Sequence, residues 1–427
     1  MHKGFKKHAR FAASALVSAI CLSPPMYTNA ASPSQVQMTV GEPRQIPIGI
    51  AKYADVMSSN AAIVRIGTNG TADLTNGVPV FPKRVGDARV VAKLFGFIPW
   101  KSVDVHVLPR QMVYVGGQSI GVALHVNGTM VVGREPGNSS ELELGDVIRM
   151  VNGHKVSSSA DLKRWTPLSA KSVKLVVRRG LPDAPLTLPI KVPLNSHHQL
   201  GVYVRDKTVG IGTLTFYDPV HHTYGALGHI ITDADTGRPI EGWGSVYDSD
   251  ITGIVKGKPG QPGEKLGRFA AGTPRLGDIS QNTDFGLFGH MDEMPAHLYR
   301  KTEVLVALPS QVHPGSARML TVLHGHQVES FSVRIENVAR QNHPTTRSMI
   351  IRVTDPRLLT GTGGIVQGMS GSPILQDGRL VGAVTHVFMS DSTRGYGIFA
   401  AWMATMSDIK AKETNEPIVQ SGDIVAV

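Results

Sequence analysis

The chain has 427 residues, 43 Lys and Arg against 33 Asp and Glu, a formal net charge of +10 and one cysteine. That length exceeds one ordinary core and predicts two to four domains. The charges are scattered, with no basic run interleaved with aromatics, which argues against nucleic-acid binding; 46 Gly and 27 Pro without long helical periodicity predict a β-rich protein.

Lys3, Lys6, Lys7 and Arg10 open the chain without an acid, an apolar run spans Phe11 to Leu22, and small residues follow at Asn29-Ala30-Ala31. This is the pattern of an export signal or uncleaved signal anchor over 1–31. Removing its four cations leaves +6 (39 basic minus 33 acidic), enough only for weak attraction to an anionic surface. Cys21 lies inside the signal, so the mature chain is expected to use neither disulfides nor thiol chemistry.

Residues 36–108 read as a small immunoglobulin-like β-sandwich, with strands at Val36–Val40, Ile46–Ile48, Ala62–Ile66, Val90–Leu94 and Val103–Val107. Turn signals at Thr68-Asn69-Gly70 and Asn76-Gly77 separate them. The block carries no catalytic pattern and is expected to be a spacer or docking module.

Residues 109–193 resemble a PDZ domain. Gly117, Gln118, Ser119, Ile120, Gly121 and Val122 resemble the loop and groove strand that capture a peptide carboxylate, and Leu142 to Gly153 matches a run of bacterial protease PDZ modules. Ser158 is the expected cap of a short helix reaching Trp165. After a polar break at Leu194–Gln199, residues 200–405 form the candidate catalytic domain, with Asp377-Gly378 as a hairpin signal. The tail 406–427 ends Gly422-Asp423-Ile424-Val425-Ala426-Val427, an apolar carboxylate end of the kind PDZ grooves take.

Gly368-Met369-Ser370-Gly371-Ser372-Pro373 has the spacing of the nucleophile signature of chymotrypsin-like serine proteases. A serine hydroxyl needs a base, and backbone donors such as the N–H groups of Gly368 and Ser370 to form an oxyanion hole. The plain alternative is a Gly/Ser turn between strands. Of 17 histidines, His197-His198 and His221-His222 read as exposed loop pairs, and His386 as a pocket-lining or core residue. His229 lies upstream of Ser370 in the order a base needs. Asp355 and Asp284 compete as the orienting group, and spacing does not decide between them. Ser372 reads as structural. No His-Glu-x-x-His or close His/Asp/Glu spacing occurs, so neither metal nor other cofactor is expected.

Ala226 to Asp233, Val353-Thr354-Asp355, Gly363 to Ile374 and Val381 to Phe388 resemble the stage IV sporulation protein B family, peptidase family S55. The resemblance implies a chymotrypsin-like double β-barrel with a PDZ domain and the triad His229, Asp355 and Ser370. It also implies export into the space between forespore and mother-cell membranes. Its substrates there would be the chain itself and the ectodomain of a membrane protein that regulates an intramembrane protease. Met369 stands where chymotrypsins have aspartate, so activation by pairing with a freed N-terminus is not expected. Control is expected from the PDZ module and its peptide ligand.

Overall fold

A computed structural model describes residues 34–47, 54–67, 77–137, 140–181, 184–258, 260–269, 272–341 and 343–415. The expected export signal, the turn at Thr68-Asn69-Gly70 and the terminal Gly422–Val427 lie outside them. The chain is mainly β and divides into two compact units, one up to Pro109 and one from Arg110 onward. Among the described residues no helix is long and apolar enough to cross a membrane.

The first unit packs a four-stranded sheet on a three-stranded one. The first holds β1 (Gln35–Thr39), β3 (Ala54–Ser58), β6 (Gly86–Leu94) and β7 (Ile98–Leu108) in the order β1-β7-β6-β3. The second holds β2 (Arg44–Ile46), β4 (Val64–Ile66) and β5 (Val78–Pro82) in the order β2-β5-β4. Alternation along β7 buries Val103, Val105 and Val107 against Val90 and Val80, which is the period of two that makes a half-buried strand. β3 and β5 escape a reading by pattern. β5 carries Pro79 and Pro82, which remove ladder donors, yet it pairs on both sides with β2 and β4.

The second unit contains two closed rings of strands. β9 (Ser119–Arg134), β14 (Val202–Asp218), β15 (Thr223–Ala226), β16 (Gly242–Asp248), β19 (Arg275–Ile279) and β21 (Gly286–His290) make the first. β9 pairs with β14, β14 with β15 and β15 with β21. The bridge Gly277↔Met291 returns the ring to β19, which pairs with β16 and so with β9. Ile120, Val122, Leu124, Leu214, Val246 and Leu287 fill it.

The second ring is contiguous in sequence: β23 (Gly315–Val322), β24 (Val328–Val338), β25 (Met349–Val353), β26 (Pro373–Gln376), β27 (Arg379–Phe388) and β28 (Asp391–Phe399). Met319, Phe331, Ile335, Ile351, Ile374, Val384 and Ile398 fill it. Asp377 and Gly378, both with positive φ, form the β26–β27 turn where the sequence predicts one. Two six-stranded barrels in this order are a chymotrypsin-like double barrel.

A third, smaller core is inserted in the first barrel. It holds the far half of β9, β10 (Val147–Val151), β12 (Ser172–Arg179), β13 (Leu186–Pro193), the helix α1 (Ser159–Arg164) and the start of β14, around Leu142, Ile148, Leu162, Leu175 and Val192. Ser158 caps α1 by accepting from the N–H of Asp161 at 3.1 Å. The boundaries 109–193 and 200–405 therefore do not separate two bodies: β9 and β14 run through both.

That arrangement corrects the reading of Gly117–Val122. Ile120, Gly121 and Val122 pair with Gly212, Ile211 and Gly210 on one side and with Asp248, Tyr247 and Val246 on the other. Gln118, Ser119, Ile120 and Val122 are buried. A strand with both edges paired cannot accept a peptide as a further strand. Gly117 has φ +104°, and a Cβ there would lie 2.6 Å from Val328 Cγ1 and 3.0 Å from Leu320 Cβ. The glycines carry the chain past the second barrel; they do not cradle a carboxylate.

Candidate active site

Ser370 lies between β25 and β26, in a turn entered from α2 (Pro356–Thr362). Two threonines of β14 hold this turn from the first barrel. Thr213 Oγ1 donates to the carbonyl of Gly368 and Thr215 Oγ1 to that of Gly371, both at 2.8 Å, while the N–H of Thr213 donates to the carbonyl of Ser370 at 3.0 Å. Gly371 has φ +92°, and a Cβ there would lie 2.1 Å from the Thr213 oxygen and 2.4 Å from the Leu227 nitrogen. Only glycine fits this close approach of turn and barrel. Gly368 also has positive φ, at +88°. Among the described residues, the N–H groups of Gly368 and Ser370 make no hydrogen bond.

The approach places the nucleophile turn beside the histidine segment, since Leu227 and His229 follow β15 directly. His229 is half-buried, and its Nδ1 lies 2.8 Å from the carbonyl of Ile230. A carbonyl only accepts, so Nδ1 carries the proton of the neutral ring and Nε2 keeps a lone pair. Burial lowers the pKa of His229, partly opposed by the Ile230 bond. Ser370 Oγ donates to the carbonyl of Thr385 at 2.8 Å, and the next residue, His386, sets its ring 4.7 Å from that of His229. Burial, then His229 and Arg347, hold His386 down to about 4, so both rings are neutral at pH 7.

The two candidate aspartates have different surroundings. Asp355 follows β25 and caps α2, accepting from the N–H of Arg357 at 3.0 Å and of Ser332 at 3.1 Å. The Arg357 guanidinium adds bonds of 3.2 Å, and it holds the carboxyl below its ordinary range. These bonds fix Asp355 to the second barrel; none joins it to His229. Asp284 is exposed at the turn between β20 (Gln281–Thr283) and β21. That turn abuts the histidine segment. A Cβ on Gly286 would lie 3.0 Å from the Gly228 nitrogen, and Asn282 Oδ1 accepts from the Ile231 N–H at 2.7 Å. Asp284 too makes no hydrogen bond to His229 among the described residues.

Ser372 is fully buried with its hydroxyl unpartnered, which separates it from Ser370. Beneath the turn lies a group that composition and spacing do not reveal. Lys265, on β18 (Glu264–Arg268), is buried, packs its stem against Gly368, and donates from Nζ to Thr321 Oγ1 at 2.7 Å and Ser119 Oγ at 3.3 Å. Among the described residues no carboxylate pairs with it, and burial lowers its pKa to about 7. Only the tertiary fold brings Ser119, Lys265, Thr321 and Gly368 together.

No curated protein matches the chain. Solved structures that resemble it include the Rv3671c protease from M. tuberculosis in its active form, with 17% identity over 46% of this chain and 72% of that chain at a TM-score of 0.26. Its inactive mutant form gives 16% identity over 48% of this chain and 83% of that chain, also at 0.26. Human heparin binding protein gives 13% identity over 46% of this chain and 76% of that chain at 0.23. At these scores the fold assignment rests on the strand pairing itself. Residues 196–404 match the family described as SpoIVB peptidase S55, so the segment that carries His229, Asp355 and Ser370 belongs to that peptidase family.

Proposed function

We propose that the protein is an exported serine endopeptidase that uses Ser370 as nucleophile and His229 as base. In the reaction, Ser370 Oγ attacks the peptide carbonyl carbon as its proton passes to His229 Nε2. The carbonyl oxygen becomes an oxyanion facing the N–H groups of Gly368 and Ser370. The C–N bond then breaks, His229 returns the proton to the leaving amine, and water hydrolyses the acyl-enzyme by the same route. The Ile230 carbonyl takes part of an orienting group's work by fixing the tautomer of His229. Asp355, which the family resemblance assigns to the triad, acts by holding the end of β25 and the start of α2, the approach to the nucleophile turn.

The observation that carries this reading is the junction of Gly371 with Leu227, which seats the Ser370 turn against the His229 segment. The biological part rests on family resemblance: a regulatory role in sporulation, in the space between the two membranes, with the chain itself and a membrane-protein ectodomain as substrates. One observation favours a second reading, a catalytically idle scaffold, because Ser370 Oγ donates to Thr385 and not to His229. Reaction of the purified chain with a fluorophosphonate probe separates the two. The peptidase labels on Ser370 and loses labelling in Ser370→Ala, while Ser372→Ala retains it. A folded chain that takes up no probe, or one that still labels after Ser370→Ala, overturns the assignment.

A further inference from the structure

Asp248, His297 and His326 come from three separate places in the chain and meet where the barrels adjoin. Asp248 ends β16, His297 lies in the connection from β21 to β22 (Glu303–Leu305), and His326 sits in the β23–β24 turn of the second barrel. Backbone bonds between Ile251 and Gly325, 3.1 Å one way and 2.8 Å the other, bring that turn to the end of β16. Asp248 Oδ2 lies 3.6 Å from His297 Nε2 and 3.4 Å from His326 Nδ1, and all three ligand atoms lie within 4.8 Å of one another. The two ring centroids lie 4.6 Å apart with 17° between the ring planes. The other oxygen, Oδ1, accepts from the N–H of Ser249 at 3.1 Å, which leaves Oδ2 directed at the histidines.

These separations are too long for charge-assisted hydrogen bonds, which run about 2.7–2.9 Å. They fit the edge of a coordination tetrahedron. Bonds of about 2.0–2.1 Å to imidazole nitrogen and carboxylate oxygen place neighbouring ligand atoms about 3.4 Å apart. Two imidazoles with one carboxylate suit zinc and its transition-metal neighbours and not magnesium or calcium, which take oxygen sets. The Ser249 N–H steadies the Asp248 carboxylate, as a supporting hydrogen bond does for a carboxylate that binds a metal. The sequence gives no hint of this site, because its ligands stand in no motif; the expectation of no metal rests on spacing alone.

We propose that Asp248, His297 and His326 bind one divalent ion of the zinc class, with a fourth position left to water, and that the ion links the two barrels. Such a link serves a chain whose only cysteine is Cys21 in the signal. An ion that binds the folded chain and not the unfolded one raises stability by mass action, and it ties the connections of the first barrel to the second.

The test is a zinc titration of the chelator-treated full chain near neutral pH, followed by calorimetry and thermal melting. One equivalent is expected to bind and raise the melting temperature. His297→Asn and His326→Asn should each weaken binding by at least about tenfold, as does loss of a supporting contact at known metal sites. Asp248→Asn keeps an oxygen for the Ser249 N–H and provides a variant expected to fold. Cobalt in place of zinc should give the intense visible absorption of a tetrahedral site. Absence of binding at 100 μM zinc overturns the proposal. So does unchanged affinity in both histidine variants, which would assign the ion to surface pairs such as His197-His198.

Discussion

The two barrels of the catalytic unit are built alike and read differently. The second takes its six strands consecutively from the sequence, and both its hairpin at Asp377-Gly378 and the turn that carries Ser370 show there. The first is interrupted. Its opening strand stands before an inserted core that begins and ends on strands of the barrel itself. A motif in a contiguous barrel keeps its neighbours in sequence. In an interrupted one, a strand such as Ser119–Val126 is easily assigned to the module beside it. The proposed catalytic groups are divided along the same line: the second barrel supplies Ser370, and the first supplies His229 and the threonines that hold the serine turn.

The largest effect that tests this division concerns the aspartates. Asp355→Asn should lose about 10²-fold in activity, the order expected when a mutation away from the reacting atoms misplaces them, because its carboxylate holds the approach to the Ser370 turn and does not bond His229. It should also lower stability slightly by weakening the contact with Arg357, since asparagine caps a helix about as well as aspartate. Asp284→Asn should lose less. Paired measurements of kcat/KM and melting temperature read both. A greater loss in Asp284→Asn with unchanged stability would assign an orienting carboxylate to the first barrel.

Next come Thr213→Val and Thr215→Val. Each removes a hydroxyl donor to the nucleophile turn at nearly constant volume and leaves a turn carbonyl without its partner, at about 1–3 kcal/mol. Probe labelling should slow by about tenfold in each, as kcat falls while KM holds. Equal labelling in wild type and double variant would show that the turn stands without the first barrel.

A smaller effect lies in the pH profile. His229 must be neutral to act as base, and burial lowers its pKa. The acid limb of kcat/KM should therefore fall below the ordinary histidine value of 6.5. A limb above 6.5 would contradict the buried setting.

The smallest effect is thermodynamic. Lys265 binds its proton with a pKa near 7 when folded, against an ordinary 10.5, so the unfolded chain holds more protons between those values. The cost of burying the charge is full below about pH 7 and is relieved as pH rises toward 10.5. Stability measured by denaturant should rise across that window, and Lys265→Met should flatten the rise.

The proposed nucleophile turn is legible because such chemistry demands residues close together in sequence: Gly368, Ser370 and Gly371 lie in one turn. The His229 segment is legible as a strand end behind small residues, and the structure sets it against the Ser370 turn through Gly371 and Leu227. The rest depends on contacts across barrels. Thr213 and Thr215 look like ordinary strand residues until their hydroxyls meet carbonyls far along the chain. Lys265 looks like a surface cation until β18 folds it under Gly368. Asp355 carries the family pattern, but its helix cap and Arg357 partner are visible only in three dimensions. In the sandwich, β5 was hidden by its prolines.

The inserted core enters and leaves the first barrel at facing positions, since Lys207 pairs with His125 on the β9–β14 ladder. In engineering terms it is a cassette on a single socket. Joining His125 to Lys207 with a two-residue turn, the shortest connection an antiparallel pair accepts, would close the barrel with its ladder intact. The straps between cassette and barrel would then be lost: Arg178 to Glu241, and Arg205 to the buried Asp233 at the end of the histidine segment. Asp233 would keep the bonds that its Oδ1 accepts from Asp235 and Thr236 while its buried Oδ2 loses Arg205, and a compact protease cut from this chain has to be designed around that oxygen.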